Sequence, residues 1–499
     1  MGADRSAEWS THTGALHRFF TIGAEAPGMR HPSPFLPLSV LAAIAAGTLL
    51  AATNARAEPP SDLRPKELPA FVSDAKRMSA ADVAKKRSGF YATGLPFFSA
   101  DPLNGFGGGL SALLFYNGKA DDPFFAYTAY RAKWGVKLEY STGSAAAVSL
   151  KMDVPYVANT AWRLKVDGKF ESTPNNLYFG LTEDTLRPLP GGRYSRYADR
   201  LASVRDGAPG EAPRVADPLK HYFLEREWML NLKGERALGG NWRLLAGYEL
   251  QKLSYRTFDG DVVPATDPAT GGTVDVPNGT SLLRADAAAG RAFGLGGGRA
   301  SLLQLSLMYD TRDFEPDPYR GIFLEFGQEH SARYTGSAFT FHKMLLQGRG
   351  YVPLFPSHLK RTLLAVRGGL GTILGDRAPF FEFQDQWSAE GSIRALGGSQ
   401  TLRGFKANRF LGRTVAFANL ELRHRFADFD VAGQNITLTA APFFDAGTVG
   451  DRPFLLAPTV RAAGGLGLRI GWNRSTVIVA DAAFSQEDSQ FFLNFNQSY

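Results

Sequence analysis

From Trp162 to Glu171 the chain keeps two chemistries on two parities. Trp162, Leu164, Val166 and Phe170 fall on one, and Arg163, Lys165, Asp167, Lys169 and Glu171 on the other. Period two sends such sets to opposite faces of an extended strand. The pattern recurs. Trp134, Val136, Leu138 and Tyr140 oppose Lys133, Lys137 and Glu139, and Trp242, Leu244, Ala246, Tyr248 and Leu250 oppose Arg243, Glu249 and Gln251. Ala416, Ala418, Leu420 and Leu422 oppose Asn419, Glu421, Arg423 and Arg425. A soluble sandwich also alternates, but its strands average about five or six residues. Runs of about ten residues or more are the length a tilted strand needs to cross a bilayer. Aromatics flank several runs (Trp134 with Tyr140, Trp242 with Tyr255, Trp472), as an interfacial girdle requires. The expectation is an all-β, transmembrane antiparallel β-barrel.

Composition agrees and excludes other classes. The chain has 37 Phe, 17 Tyr, 7 Trp and 54 Gly, which suits twisted strands and many turns. Mean hydropathy of −0.17 separates nothing, because lumen residues offset lipid-facing ones. With no cysteine there is no disulfide framework and no thiolate metal site. The net charge of +7 is spread along the chain rather than gathered in a basic stripe, so no nucleic-acid partner is expected.

One apolar run, residues 35–52, is interrupted by Ser39, Gly47 and Thr48. Arg30 and His31 precede it, and Ala55-Arg56-Ala57 follows as a small-x-small cleavage site. This order predicts a cleaved signal peptide over residues 1–57, hence export to the outer membrane of a Gram-negative bacterium. Met29 stands just before the basic residues, so 1–28 reads as a mis-assigned start. Residues 58–88 predict a short periplasmic tail with a helix near 79–86, and 89–499 the barrel.

Sixteen strands are expected, near 90–99, 107–117, 124–141, 145–155, 161–172, 220–236, 242–257, 300–312, 321–334, 338–352, 361–374, 415–426, 435–446, 461–472, 476–486 and 490–499. An even number suits a single-chain barrel. Parity places the ambiguous stretch 281–294 inside a loop. The long connections are then 173–219, 258–299 and 375–414, on the outer side. Short turns at Gly239-Gly240, 356–360 and 473–475 fall on the periplasmic side. The chain ends with Phe491, Leu493, Phe495 and Tyr499 on one face, with Gln497 departing from the apolar pattern.

The segment 375–414 carries Gly397-Gly398-Ser399-Gln400-Thr401-Leu402-Arg403-Gly404-Phe405, then Arg409-Phe410. Phe443-Phe444-Asp445-Ala446-Gly447 forms F-x-D-x-G, and Tyr309-Asp310-Thr311-Arg312-Asp313 is followed by Pro318 and Gly321. Pro96 to Gly109 and Tyr178-Phe179-Gly180 suit opening strands and a first long loop. In kind and order this set resembles the BamA/TamA superfamily of outer-membrane assembly and translocation barrels (bacterial surface antigen family). The resemblance implies a late loop folded into the lumen and insertion or translocation of proteins, or lipids, at the outer membrane. The expected partners are outer-membrane lipid and unfolded outer-membrane or secreted proteins. Substrate-receiving POTRA domains are expected to be missing, since 58–88 is too short for one.

Strand phase sharpens one contact. Asp445 shares parity with Asn435, Thr437 and Thr439, which turns it toward the lumen, where Arg403 would meet it as a charge-assisted, bidentate pair. Arg469, Asp481, Glu421 and Arg423 lie on polar faces and are candidates for the same network. No G-x-S-x-G, H-E-x-x-H or Walker loop occurs, and His221, His330, His342, His358 and His424 are scattered without ligand spacing. No enzyme, cofactor or metal is expected, and a monomer is favoured. The rival readings are a passive channel narrowed by the loop and a barrel-embedded lipid hydrolase.

Overall fold

The computed structural model describes residues 69–495, apart from 70, 73–76, 79, 102–103, 188–204, 207–213, 216–218, 267–272, 314, 316, 356–360, 432–433 and 473–475. The expected signal peptide, most of the tail and the last four residues lie outside these. Sixteen antiparallel strands follow one another in chain order in a single sheet. They are β1 (Phe90–Asp101), β2 (Gly105–Tyr116), β3 (Ala132–Ser141), β4 (Ala146–Val154), β5 (Trp162–Leu177) and β6 (Tyr222–Gly239). Next come β7 (Trp242–Thr257), β8 (Gly298–Asp310), β9 (Gly321–Ser331), β10 (Phe341–Pro353) and β11 (Thr362–Leu374). The last are β12 (Thr414–Val431), β13 (Gln434–Gly450), β14 (Arg461–Trp472), β15 (Thr476–Phe484) and β16 (Ser489–Phe495). Each expected strand is represented once. No helix among the described residues is long and apolar enough to cross a membrane.

The parities separate as alternation demands. Trp228, Leu230, Leu232, Leu250, Leu303, Leu305, Leu307, Leu324, Leu420 and Leu422 are exposed on the outer wall. Glu227, Lys233, Glu235, Arg243, Glu249, Glu325, Glu329, Lys343, Arg367 and Asp445 are buried in the lumen. Buried charges need an opposite charge or hydrogen bonds. Glu325 accepts from Ser306, Gln347 and Ser388, Arg367 donates to the Gln400 carbonyl, and many of the others form ion pairs. Arg163 meets Asp153 at 2.6 Å, Lys165 meets Glu235 at 2.9 Å, and Lys233 meets Asp167 at 2.7 Å. The lumen is a cross-linked polar core.

The two ends differ. One carries mostly short connections (240–241, 432–433) and the other the long ones, 178–221, 258–297 and 375–413. The loop 258–297 holds a small hairpin (Val262–Thr266 with Thr273–Pro277) and a helix, Leu282–Ala288, where parity had already placed a loop.

One expected strand is shorter than its sequence suggested. Residues 124–127 form turns, 128–131 are irregular, and β3 begins at Ala132. Their aromatics are used elsewhere: Phe124 and Tyr127 cluster with Val72, Phe71 and Tyr156. The N-terminal segment, including a helix at Ala80–Lys85, thus packs on the 117–131 connection. Met78 N–H donates to the Ala126 carbonyl at 2.9 Å, and Lys86 Nζ donates to the Phe125 and Thr128 carbonyls at 2.6 and 2.7 Å. Burial lowers the Lys86 amine from 10.5 to about 8. Between those values the docked segment binds fewer protons than a released one, so docking strengthens as pH rises from about 8 toward 10.5. A spin label at exposed Arg77 is expected to be less mobile at the top of that window than at neutral pH, and Lys86→Met to abolish the difference. Equal mobility of the wild type at both ends would refute the linkage.

The barrel has a weak line. β1 and β16 lie side by side, yet no hydrogen-bonded ladder joins them among the described residues. β16 is seven residues long, and β1 contains Pro96, which has no N–H to offer. Proline is confined to strands with an unpaired edge.

Candidate functional site

The connection from β11 to β12 does not stay outside. After Leu374 it turns inward, and a short 3-10 helix at Phe380–Gln384 packs its aromatics against Tyr178, Phe223 and Tyr255 at the loop end of the barrel. Lys343 on β10 then holds Glu382 and Asp385 at 3.0 and 3.1 Å. Deeper still, Trp387 and Ala389 pack on Leu245, Met308 and Phe323. Ser388 Oγ and the Ala389 N–H both donate to Glu325 at 2.6 Å. The tip is Glu390, which pairs with Arg349 at 2.7 Å and with Arg312. Arg312 stands just beyond the last residue of β8, at the short-turn end, so the loop traverses the lumen from one end to the other.

The return limb carries the glycine-flanked motif. Gly397 has φ +118°, and a Cβ there would lie 2.1 Å from the Lys406 carbonyl oxygen, so only glycine fits. Gly398 and Gly404 also have positive φ, and Gly398 N–H donates to the Phe405 carbonyl at 2.9 Å, closing the loop on itself. Thr401 Oγ1 donates to the Ala395 carbonyl at 2.8 Å. Leu402, Phe405 and Phe410 are fully buried, and the two phenylalanine rings meet edge to face at 5.1 Å. Ser399 follows the glycine pair on the same turn.

This turn presents Arg403 to the wall. Its Nε and Nη2 donate to the two oxygens of Asp445, each at 2.8 Å, and its backbone N–H donates to Asp445 Oδ2 at 3.1 Å. Nη1 reaches Glu421 at 2.7 Å and Asp481 at 3.1 Å. Arg469 donates to Glu421 at 2.8 Å and also pairs with Asp481, and Arg423 donates to Glu421 at 2.9 Å. Three guanidinium groups therefore face three carboxylates. Asn419 Nδ2 joins the site by donating to Asp445 Oδ1 at 2.9 Å and to the Thr401 carbonyl at 2.7 Å. Each residue of the F-x-D-x-G motif has its own task. The Phe443 ring lies under the Arg403 guanidinium at 3.5 Å, Asp445 takes the bidentate pair, and Gly447 leaves room for Leu396, whose Cδ1 would lie 2.4 Å from a Cβ.

The second motif builds the receptor for the tip. Asp310 accepts from Arg243 at 2.6 Å and from Arg312 Nε at 2.9 Å. Asp313 accepts from the Tyr319 and Arg320 N–H groups at 3.0 and 3.3 Å, around buried Pro318. Gly321 has φ +110°, with the Thr311 carbonyl oxygen 2.4 Å from where a Cβ would stand. Tyr309 faces the wall and packs on Trp242 at 5.0 Å. The two motifs, far apart in sequence, thus serve the return limb and the tip of one loop.

Sequence reasoning missed a second clamp. Arg409 makes a double contact with Glu487 at 2.8 and 2.9 Å and donates to the Thr185 and Arg187 carbonyls at 2.6 and 2.7 Å. Arg367 donates to the Gln400 carbonyl at 2.9 Å. Arg409 closes the motif read from the sequence, but its partners lie far away in the chain and left no local signal. Arg367 sits in an ordinary wall position, and its burial is what marks it.

Residues 131–496 match the Omp85 superfamily domain, and residues 68–131 match a domain of unknown function, DUF5982. The second match covers the docked N-terminal segment, β1, β2 and the connection it packs on. Among solved structures, the fold is similar to BamA from Haemophilus ducreyi lacking POTRA domains 1–3, at 15% identity and TM-score 0.46, over 82% of this chain and 70% of that one. It is also similar to CdiB from Escherichia coli (12%, TM-score 0.47) and CdiB from Acinetobacter baumannii (10%, TM-score 0.42). Each CdiB match spans 82% of this chain but only 61% and 60% of those chains. No curated protein sequence matches the chain.

Proposed function

The chain belongs to the Omp85 superfamily, and from that premise we propose that it assists the insertion of proteins into the outer membrane or their translocation across it. The observation that carries this reading is the weak line between β1 and β16 in a barrel whose lumen is otherwise cross-linked and occupied. An unpaired strand edge is a template for another strand. A client strand adding to the β1 edge would use backbone hydrogen bonds for affinity, and the pinned loop would keep the wall rigid opposite the opening. The lumen is assigned no catalytic step. In this reading the short-turn end faces the periplasm and the long loops face outward, the usual asymmetry of such barrels.

The test is depletion of the protein followed by quantitative proteomics of isolated outer membranes. A specific subset of outer-membrane or secreted proteins is expected to fall while others hold steady. An unchanged profile in a strain that has lost the protein would sink the proposal.

A further inference from the structure

The outer wall of β6 to β10 is apolar through the middle of the sheet and then changes abruptly at the loop end. On β7 the outward series runs Tyr248, Leu250, Lys252, Ser254, Arg256; on β8 it runs Leu307, Leu305, Leu303, Ser301, Arg299. On β6 it passes from Leu230 and Trp228 to Arg226, and on β9 and β10 it ends at His330 and His342. The register joins these series into one patch. Lys252 is directly opposite Arg299 on one side and Trp228 on the other, and Arg226 is opposite Ser254. No carboxylate occupies an outward position at this end of these five strands.

Two basic side chains placed directly opposite one another on one face repel and destabilise a sheet. Elsewhere in this protein, lumen cations such as Lys165, Lys233, Arg243 and Lys343 are met by acids. Here Arg256 is tied to Asp261, at 2.7 Å, and Arg299 Nε donates to the Gly336 carbonyl at 2.8 Å. Arg226 and Lys252 are exposed and make no ion pair among the described residues. They stand at the rim of the lipid-facing band, where headgroups lie, beside an exposed tryptophan. Anionic headgroups are the counter-charge such a position offers.

We propose that this patch binds the phosphate groups of a phosphorylated glycolipid of the outer leaflet, with Arg226, Lys252 and Arg299 as its cationic contacts. The inference rests on the orientation given above, with the loop end outward. The lipid's acyl chains would lie along Leu250, Leu303 and Leu305, and its phosphates would relieve the Lys252–Arg299 repulsion. Phosphate takes an arginine as a planar fork and a lysine as a point charge, so the mixed set suits an ester phosphate with several free oxygens.

The full chain, purified in neutral detergent, is to be titrated with a bis-phosphorylated glucosamine lipid, with the same lipid stripped of phosphate, and with phosphatidylglycerol. Native mass spectrometry and Trp228-sensitive fluorescence would serve as readouts. Each basic side chain near an anionic surface is worth roughly fivefold in affinity, so Arg226→Gln with Lys252→Gln and Arg299→Gln should weaken binding about a hundredfold. Arg236→Gln, at the opposite rim, should leave it unchanged. Heat-modifiable gel mobility checks that the triple variant is folded; if it is not, the dephosphorylated lipid on wild-type protein decides alone. Equal binding of the phosphate-free lipid, or equal weakening by Arg236→Gln, overturns the proposal. Preference for phosphatidylglycerol overturns it too, and points to the reversed orientation. None of these outcomes depends on whether depletion changes the outer-membrane proteome.

Discussion

Arg403→Ala is expected to release the inward loop while leaving the sixteen strands in place. The guanidinium touches Asp445, Glu421 and Asp481 together. Its loss leaves three buried carboxylates facing the two guanidinium groups of Arg423 and Arg469. Removing one partner from a buried charge set costs about 3–5 kcal/mol, because the residual charge is stranded away from water. The loop, rather than the sheet, yields first, since its return limb is anchored there. Two readouts follow: protease cleavage within residues 385–400, which the wild type is expected to resist, and a lower midpoint for heat-induced loss of the compact gel form. Arg403→Lys should recover little, because an ammonium cannot form the two-armed pair with Asp445 and reach Glu421 as well. Adding Asp481→Asn to Arg403→Ala rebalances the charges and should restore part of the midpoint. A loop as protected in Arg403→Ala as in wild type would show that the cluster is not its anchor.

The strands were legible because period two is a local signal repeated across many residues. The same signal placed Asp445 on the lumen face, and the motif beside Arg403 suggested its partner. What stayed hidden is long-range or borrowed. The aromatics at 124–127 read as strand because hydrophobic residues look alike whether they face lipid or a docked segment; here they face Val72 and Phe71. The helix at Leu282–Ala288 sits in a stretch whose alternation is ambiguous, and only its Ser281 cap, accepting from Arg284 N–H, marks its start. The reach of Glu390 to Arg312 and Arg349 pairs residues separated by 78 and 41 positions, and no local pattern records such a pair. Both motifs could be named from sequence; that one grips the return limb and the other the tip of the same loop could not.

The remaining prediction separates an assembly barrel from a passive pore. A sixteen-stranded barrel emptied of its contents leaves an aqueous channel. Here Trp387, Ser388 and Glu390 occupy the lumen down to the short-turn end, fastened through Glu325, Arg349 and Arg312. Deleting residues 376–411 and joining Gly375 to Gly412 through a short Gly-Ser linker is geometrically mild, because Thr372 and Thr414 are already paired across β11 and β12. The deletion is expected to raise single-channel conductance in planar bilayers by about tenfold or more, to the range of open barrels of this strand number. Arg403→Ala should fall between, with flickering steps, because the return limb is loosened while the Glu390 anchor persists. Glu390→Ala tests the other end and should also give partial, unstable opening. A wild-type barrel that already conducts as much as the deletion would mean that the loop does not seal the lumen, and the passive-channel reading would then be the better one. A quiet wild type and a conducting deletion would show that the loop seals the lumen, the outcome expected of the assembly reading proposed above.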